Sequence, residues 1–302
     1  MKAIALINST SGGVQKIGAE QIRLDIEHAL RAQSIDFDIM EGGYQTLNDA
    51  VSNARDIDLV ICAAGDGTQA ALASLLTNRK SALLPLPCGT VNMFCRDLGI
   101  PLDLPDALAA SLAGEFVKVD IGAIGERVFL SNVVFGAYAD LAEAREGLRD
   151  AETIADVSFS IVEAADAILH ADPVRYRAVI DGQKLSIHTN TIMVSNNAIT
   201  HAENLVPGRA SLSEGQLCIY LTDALHGGDF TTVLAGFIGG GADASDKIER
   251  RDCKSITLTA TSDELAYTID GDPIKARGSI TATIKPKALT VLWPSKAATT
   301  AL

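Results

Sequence analysis

The segment that most constrains the fold is a short apolar run followed by a glycine-flanked acid. Leu59–Ala63 has the composition of a buried β-strand, and Gly65-Asp-Gly-Thr68 follows almost at once. Glycines let a ligand approach the main chain and permit positive φ angles, so that neighbouring N–H groups can converge on an anion. The pattern predicts a phosphate-binding turn between a strand and a helix, with Thr68 capping that helix. The alternative is a plain tight turn in which Asp66 is only a turn former.

Two other loops repeat this arrangement of an apolar strand followed by small polar residues. The strand Ala3–Ile7 precedes Asn8-Ser-Thr-Ser-Gly-Gly13, and the strand Ala82–Pro85 precedes Pro87-Cys-Gly-Thr-Val-Asn92. In open parallel sheets, ligands bind at the carboxyl ends of the strands. The three loops are therefore predicted to line one crevice.

Strands and helices alternate through residues 1–122, which predicts a three-layer α/β domain built on a parallel sheet. Besides the three strands above, Ile35–Met40 is predicted as a strand. The predicted helices are centred on Ile22–Leu30, Leu47–Ala54, Thr68–Leu76 and Leu104–Ala113, with another after Asn92.

Residues 123–289 have a different pattern, with many short runs rich in β-branched residues. They predict an antiparallel β-sandwich or barrel with one or two helices, one of them Thr153–Leu169, and a hairpin turn at Asp181-Gly182. The predicted strands are Val128–Val134, Arg175–Ile180, Lys184–Thr189, Thr191–Ser195, Gln216–Thr222, Ser255–Thr261, Leu265–Asp270, Ser279–Ile284 and Leu289–Leu292.

Length and charge limit the classes of function. A chain of 302 residues is long for one core, which agrees with two domains. A formal net charge of −13 argues against a nucleic-acid partner, because no excess of basic residues is there to displace counterions. No apolar run approaches the ~20 residues that a membrane span needs.

The cysteines and histidines show no metal-binding or disulfide-exchange motif. The five cysteines are an odd number in apolar contexts, which predicts reduced thiols and a cytoplasmic location. Cys88 lies inside the third loop, where it is either an accessible thiol or a small packing residue. The five histidines have no zinc-binding spacing.

The three loops resemble those of the diacylglycerol kinase catalytic domain family, which includes sphingosine kinases and soluble bacterial lipid kinases. That family has Asn-Pro-x-Ser-Gly, Gly-Gly-Asp-Gly-Thr and Pro-Leu-Gly-Thr-x-Asn-Asp-Phe-Ala-Arg in its first domain. The residues that match these motifs are Asn8, Ser11, Gly12, Gly65, Asp66, Gly67, Thr68, Pro87, Gly89, Thr90, Asn92, Phe94 and Arg96.

The second half is similar to the same family over shorter motifs. Asn132–Gly136 resembles the strand and glycine that open its lipid-binding domain, and Asp270-Gly-Asp272 resembles its Asp-Gly-Glu motif. The further matches to its Asn…Pro-x-Ala…Asp-Gly run are Ser195-Asn196, Pro207, Ala210 and Glu214-Gly215. The departures from the family pattern are Ser9, Ala64, Ala70, Met93, Glu214 and Asp272.

The resemblance implies an ATP-dependent lipid kinase that phosphorylates a hydroxyl of diacylglycerol or a related lipid alcohol. It also implies an active site in the cleft between the domains and a C-terminal segment, about 290–302, that returns to the first domain. The residues expected to contact ATP are Asn8, Ser11, Gly12, Gly65, Gly67, Thr68, Gly89, Thr90 and Asn92.

Two acids are the expected catalytic residues. Phosphoryl transfer to an alcohol requires a phosphate cradle, Mg²⁺ and an acid near the acceptor hydroxyl. Asp66 is expected either to hold Mg²⁺ or to accept the hydroxyl proton, and Asp272 occupies the position of the family's general base.

The resemblance also implies a structural Mg²⁺ site in the loop Ser211–Gln216. Glu214 would supply the carboxylate, and Ser211 and Gln216 would supply main-chain carbonyl oxygens. Glu214 is one methylene longer than the family's aspartate, which changes its reach to a small ion.

Two other functions stay open at this point. An NAD kinase would share the Gly-Asp-Gly-Thr loop, although Asn196-Asn197 lacks the acid of that family's Asn-Glu pair. A non-catalytic protein that binds a nucleotide or a lipid is the alternative of another class. The sequence also leaves open the acceptor alcohol, transient contact with a membrane surface and a homodimer.

Overall fold

The computed structural model describes residues 1–54, 56–136, 173–189, 191–203, 206–222, 248–260 and 264–294. They form two compact units, one of Met1–Val119 with the segment that begins at Lys287, and one of Asp120–Pro286. The helix predicted over Thr153–Leu169 lies outside the described residues.

The first unit is built on parallel strands in the order β2-β1-β3-β4. The last strand of the described residues, β18, adds to β4 in parallel through Val291 and Leu83. Every residue of β3 and β4 is buried, as expected for strands covered on both faces. The bounds are β1 Lys2–Asn8, β2 Asp36–Gly42, β3 Leu59–Ala64, β4 Ala82–Pro87 and β18 Ser279–Trp293.

The helices of this unit bury one apolar stripe each. In α2, Ile22, Ile26 and Leu30 recur every fourth residue and are fully buried. The bounds are α1 Gly12–Ile17, α2 Ala19–Ala32, α3 Tyr44–Asn53, α4 Asp66–Leu76, α5 Met93–Asp97 and α6 Leu104–Leu112. The predicted α/β domain with a parallel sheet is confirmed.

The second unit is antiparallel. Six strands form one sheet in the order β14-β13-β10-β7-β16-β17, and β15 pairs with β8 and with the start of β18 in another. The bounds are β5 Glu115–Ile124, β6 Arg127–Phe129, β7 Asn132–Gly136, β8 Val174–Ile180, β9 Gln183–Thr189, β10 Thr191–Asn196, β11 His201–Glu203, β12 Val206–Gly208, β13 Leu217–Thr222, β14 Ile248–Cys253, β15 Ser255–Ala260, β16 Leu265–Ile269 and β17 Asp272–Ala276.

The core of this unit draws apolar side chains from both sheets. Phe135 of β7 stacks on Tyr267 of β16 with ring centroids 5.3 Å apart, and Tyr176 of β8 and Leu258 of β15 are buried in the same cluster. The predicted β-sandwich is therefore confirmed. Asp181 and Gly182 form the predicted turn between β8 and β9, both with positive φ.

Several strands differ from the prediction. The strands β5, β11, β12, β14 and β17 were not predicted, and the run predicted over Val128–Val134 is divided between β6 and β7. The two strands predicted near the C-terminus are one strand, β18, within which Lys287 has a positive φ of 51°. None of the helices in the described ranges is long and apolar enough to cross a membrane.

Candidate functional site

The three predicted loops lie side by side at the carboxyl ends of β1, β3 and β4. A Cβ atom on Gly13 would lie 2.1 Å from the carbonyl oxygen of Cys88, and one on Gly89 would lie 2.9 Å from the Cα of Gly65. Both distances are too short for a side chain, so only glycine permits this packing of the loops. The hydroxyl of Ser11 also donates to the Cys88 carbonyl, at 3.4 Å.

Asn8 joins the first loop to the second. It is 6% exposed, and its Nδ2 donates to Oγ1 of Thr68 at 3.0 Å. Its Oδ1 accepts from the main-chain N–H and the hydroxyl of Thr10, at 3.1 and 2.7 Å. This side chain therefore fixes the turn after β1 and holds it against α4.

The structure corrects the predicted cap of the second loop. Helix α4 begins at Asp66, with Gly65 before it and no side-chain cap. Thr68 is thus inside the first turn, where its hydroxyl accepts from Asn8. The prediction was wrong because Gly65, which needs no side chain to start a helix, takes the capping position.

Asp66 is a partly buried residue in the first turn of α4. Its carboxylate accepts the main-chain N–H groups of Asn92 at 3.0 Å and of Phe94 at 3.4 Å. The acid therefore also holds the third loop and the start of α5.

Asn92 closes the third loop on itself. It has φ of 55° and ψ of 43°, a left-handed conformation that asparagine tolerates better than most residues. Its Oδ1 accepts from the N–H of Gly89 at 2.7 Å, and its Nδ2 donates to the Gly89 carbonyl at 2.9 Å. Three of the remaining predicted ATP contacts, Gly12, Gly67 and Thr90, lie exposed at the loops.

The sequence analysis missed Gln69, a fully buried polar residue of α4. Its Nε2 donates to the carbonyls of Ala64 and Leu86, each at 3.0 Å, and so ties together the ends of β3 and β4. The available signal was a single polar residue on an otherwise apolar helix face with Ala73 and Leu76.

The cysteines beside these loops are not accessible. Cys62, Cys88 and Cys95 are fully buried. Burial raises the pKa of Cys88 to about 12 and also raises the pKa values of Cys62 and Cys95. Of the two readings of Cys88, the structure supports the packing residue.

The second predicted acid, Asp272, is the first residue of β17 and is partly buried. Asp270 and Gly271 form the turn before it, with φ of 46° and 84°, and Ile269 pairs with Asp272 across the turn. This two-residue hairpin therefore presents Asp272 directly after the turn.

Asp270 fixes that hairpin to a distant part of the chain. Its carboxylate accepts the N–H groups of Leu130 and Ser131 at 2.8 Å and of Asn132 at 3.0 Å. Burial raises the pKa of Asp270, while these hydrogen bonds and the nearby Arg209 guanidinium oppose that rise.

Buried polar side chains also stabilise the segment of residues 130–132, by donating hydrogen bonds to its main-chain carbonyls. Arg209 is 4% exposed, and its Nη1 donates to the carbonyls of Leu130 at 2.6 Å and of Asn196 at 2.8 Å. The Nδ2 of Asn196 donates to the carbonyls of Asp120 at 3.0 Å and of Leu130 at 3.1 Å. No sequence pattern indicates Arg209, because the Leu130 carbonyl that it binds lies 79 residues away along the chain.

The loop predicted to hold a structural metal is bonded to protein groups. The main-chain carbonyl of Gln216 accepts from the N–H of Asn197 at 3.1 Å, and the side chain of Gln216 donates to Glu214 Oε2 at 3.2 Å. Two of the three groups expected to bind the metal therefore accept hydrogen bonds from the protein. Within the described ranges no group of three or more His, Cys, Asp or Glu residues could hold a metal ion.

Family models match almost the whole described chain. Residues 2–124 match the diacylglycerol kinase catalytic domain, and residues 132–293 match the YegS C-terminal NAD kinase beta sandwich-like domain. The second match alone covers more than half of the 302 residues.

Individual proteins give the same result. A diacylglycerol kinase of Staphylococcus aureus (strain bovine RF122 / ET3-1) is 23% identical over 280 residues, which are 90% of this chain and 86% of that protein. A probable lipid kinase YegS-like of Klebsiella pneumoniae (strain 342) is 36% identical over 85 residues, 28% of this chain and 29% of that protein.

The fold also matches a crystal structure of a diacylglycerol kinase from Bacillus anthracis str. Sterne. The TM-score is 0.67 at 16% identity, covering 98% of each chain. The chain belongs to the diacylglycerol kinase family, whose members are nucleotide-using phosphotransferases with an alcohol acceptor.

Proposed function

We propose that this protein is an ATP-dependent lipid kinase that phosphorylates a hydroxyl of diacylglycerol or a related lipid alcohol. The observation that carries the proposal is the convergence of three strand-end loops around Asp66, fixed by Asn8 and Asn92. Loops with closely packed glycines at the ends of parallel strands are suited to a polyphosphate.

The nine loop residues are the proposed ATP contacts. The side chains of Asn8 and Asn92 shape the loops, while the exposed Gly12, Gly67 and Thr90 present main-chain amides or a hydroxyl to solvent and to a ligand. The others in the set are Ser11, Gly65, Thr68 and Gly89. Such a cradle positions the terminal phosphate and stabilises its charge.

Asp66 and Asp272 are the proposed catalytic carboxylates. A carboxylate that accepts the proton of the acceptor hydroxyl raises its nucleophilicity as it attacks the γ-phosphorus. Asp272 is our candidate for this role because the hairpin places it beside the turn and Asp270 fixes the turn. Asp66 would hold Mg²⁺, which neutralises charge on the phosphates.

The activity test is transfer of labelled phosphate from ATP to a bacterial lipid extract, with the Asp66→Asn variant as a matched control. Labelled lipid formed by the wild-type protein and not by the variant supports the proposal. ATP hydrolysis without a labelled lipid would point to a different acceptor. No reaction of either kind would favour a non-catalytic binding protein.

Ligand-induced stabilisation separates ATP from NAD⁺ as the bound nucleotide. ATP with Mg²⁺ at ten times a Kd of ~0.1 mM should stabilise the folded protein by about 1.4 kcal/mol. A rise in melting temperature with NAD⁺ and none with ATP would favour the NAD kinase alternative. Against that alternative, Asn196 and Asn197 bond main-chain groups of their own unit.

A further inference from the structure

The loop Ser211–Gln216 carries a cation supplied by the protein itself. The Nζ atom of Lys254 donates to the main-chain carbonyl of Gly215 at 2.5 Å. Lys254 lies between β14 and β15, 39 residues from Gly215, and it was not among the predicted functional residues. The positive charge is therefore brought to this loop by tertiary structure.

The main chain of Lys254 is held from two directions. The carboxylate of Asp181 accepts its N–H at 3.0 Å and the N–H of Ser255 at 2.9 Å. The Lys254 carbonyl accepts from the N–H of Ile284 at 3.0 Å. Because the root of the side chain is fixed, less conformational entropy is lost when the ammonium group binds the loop.

Gly215 connects this ammonium group to a buried carboxylate. Its carbonyl accepts from Lys254, and its N–H donates to Oδ2 of Asp120 at 2.5 Å. Asp120 is 1% exposed. A buried carboxylate needs hydrogen bonds and positive charge nearby, since an isolated buried charge is costly. Gly215 has φ of 69°, so glycine is the residue that adopts this turn without strain.

The acidic side chains around the loop have protein partners as well. Glu214 accepts from the amide of Gln216, which also donates to Asp252 at 3.0 Å. Asp252 in turn pairs with Arg250 at 2.8 Å. These contacts are the ones a divalent cation would have to replace, because Mg²⁺ demands six oxygen ligands at ~2.1 Å.

We propose that the Lys254 ammonium group replaces a structural divalent cation in this chain. It supplies positive charge to the loop that contains Glu214 and lies beside Asp120, and it holds the loop through Gly215. The loop then keeps its conformation without Mg²⁺. This proposal does not depend on the lipid kinase activity, because it concerns the folding of one loop.

The test compares metal content and thermal stability without nucleotide. Three proteins are compared: wild type, Lys254→Met and the control Lys184→Met, which removes a charge from an exposed position of β9. Each is purified and freed of loosely bound ions, and its melting temperature is measured in EDTA and in MgCl₂. We expect no stoichiometric divalent metal in wild type and the same melting temperature in both solutions. Lys254→Met should melt about 2–4 °C lower than wild type in EDTA, and Lys184→Met should match wild type.

Two results would overturn the proposal. The first is wild-type protein with one divalent ion per chain whose removal lowers the melting temperature, since a metal would then do the work assigned to Lys254. The second is a Lys254→Met melting temperature in EDTA equal to that of Lys184→Met. The wild-type measurement decides even if Lys254→Met fails to fold.

Discussion

The phosphate-type loops of the first unit and the acidic hairpin of the second unit are built in different ways. Each loop follows its own buried strand, and all three lie within residues 8–92. The hairpin at Asp270 is held instead by residues 130–132, nearly 140 positions earlier in the chain. Each loop motif is therefore complete within a short segment, although contacts such as Asn8 to Thr68 join the loops, whereas the hairpin itself is held by a distant segment.

This difference decides which residues can be recognised from the sequence and which can be found only in the structure. In the loops, glycines and short polar residues form a pattern that is visible in the sequence. In the hairpin, the acid of interest depends on Asp270, Arg209 and Asn196, whose hydrogen bonds go to distant main-chain groups. Substitutions in the two regions should consequently differ in how much they change the rate of phosphate transfer and how much they change the stability of the folded protein.

The largest effect is expected for Asp66→Asn. The amide can still accept a hydrogen bond from the Asn92 N–H, so the loops should stay folded, but the negative charge is lost. We expect the transfer rate to fall on the order of 10²-fold or more, because the proposed carboxylate ligand of Mg²⁺ is lost and the phosphate charge is then less well neutralised. Steady-state kinetics with ATP and the lipid acceptor, alongside thermal melting, measure this.

Asp103→Asn is the matched control in the same unit. Asp103 caps α6 by accepting the Asp106 N–H, and asparagine caps a helix about as well. That variant should keep both activity and stability. A near-normal rate in Asp66→Asn would remove Asp66 from the reaction.

Asp272 gives the corresponding prediction for the second unit. Asp272→Asn should lower the rate about 10²-fold or more, because the amide cannot accept a proton. Asp272→Glu restores the carboxylate of the family motif and should keep measurable activity. If both variants equal wild type in rate and melting temperature, Asp272 is only a turn residue and Asp66 must act alone.

Sequence reasoning succeeded where a pattern is complete within a short segment. The parallel sheet and the sandwich follow from periodicity, and the Asp181-Gly182 turn follows from its dipeptide. It failed where a partner far along the chain decides the geometry. Arg209 was missed, and its guanidinium donates to the carbonyl of Leu130, 79 residues earlier.

Gln69 tests whether the loops also depend on buried tertiary contacts. Gln69→Met keeps the volume but leaves the carbonyls of Ala64 and Leu86 without this donor. The Leu86 carbonyl keeps the Cys88 N–H as a donor at 2.8 Å, so the expected loss is that of two buried hydrogen bonds, about 1–3 kcal/mol in urea denaturation. Gln21→Met on α2, where Gln21 is exposed and donates to Asp25, is the control and should change little. Equal stability of the two variants would contradict the role of Gln69.

Thiol labelling offers the smallest expected effect and compares the two units directly. Burial raises the pKa values of Cys88 in the loops and Cys253 in the sandwich to about 12, so both should react with a maleimide only when the local structure opens. The Cys88 carbonyl packs against Gly13, so a nucleotide bound to the loops should hold this part closed. ATP with Mg²⁺ at ten times its Kd should slow Cys88 labelling about 10-fold, while Cys253 labelling stays constant.

Mass spectrometry of the labelled peptides measures both rates. Equal protection of the two cysteines would mean that labelling requires global unfolding, which ATP suppresses by stabilising the whole protein. No protection of Cys88 would place the nucleotide away from these loops.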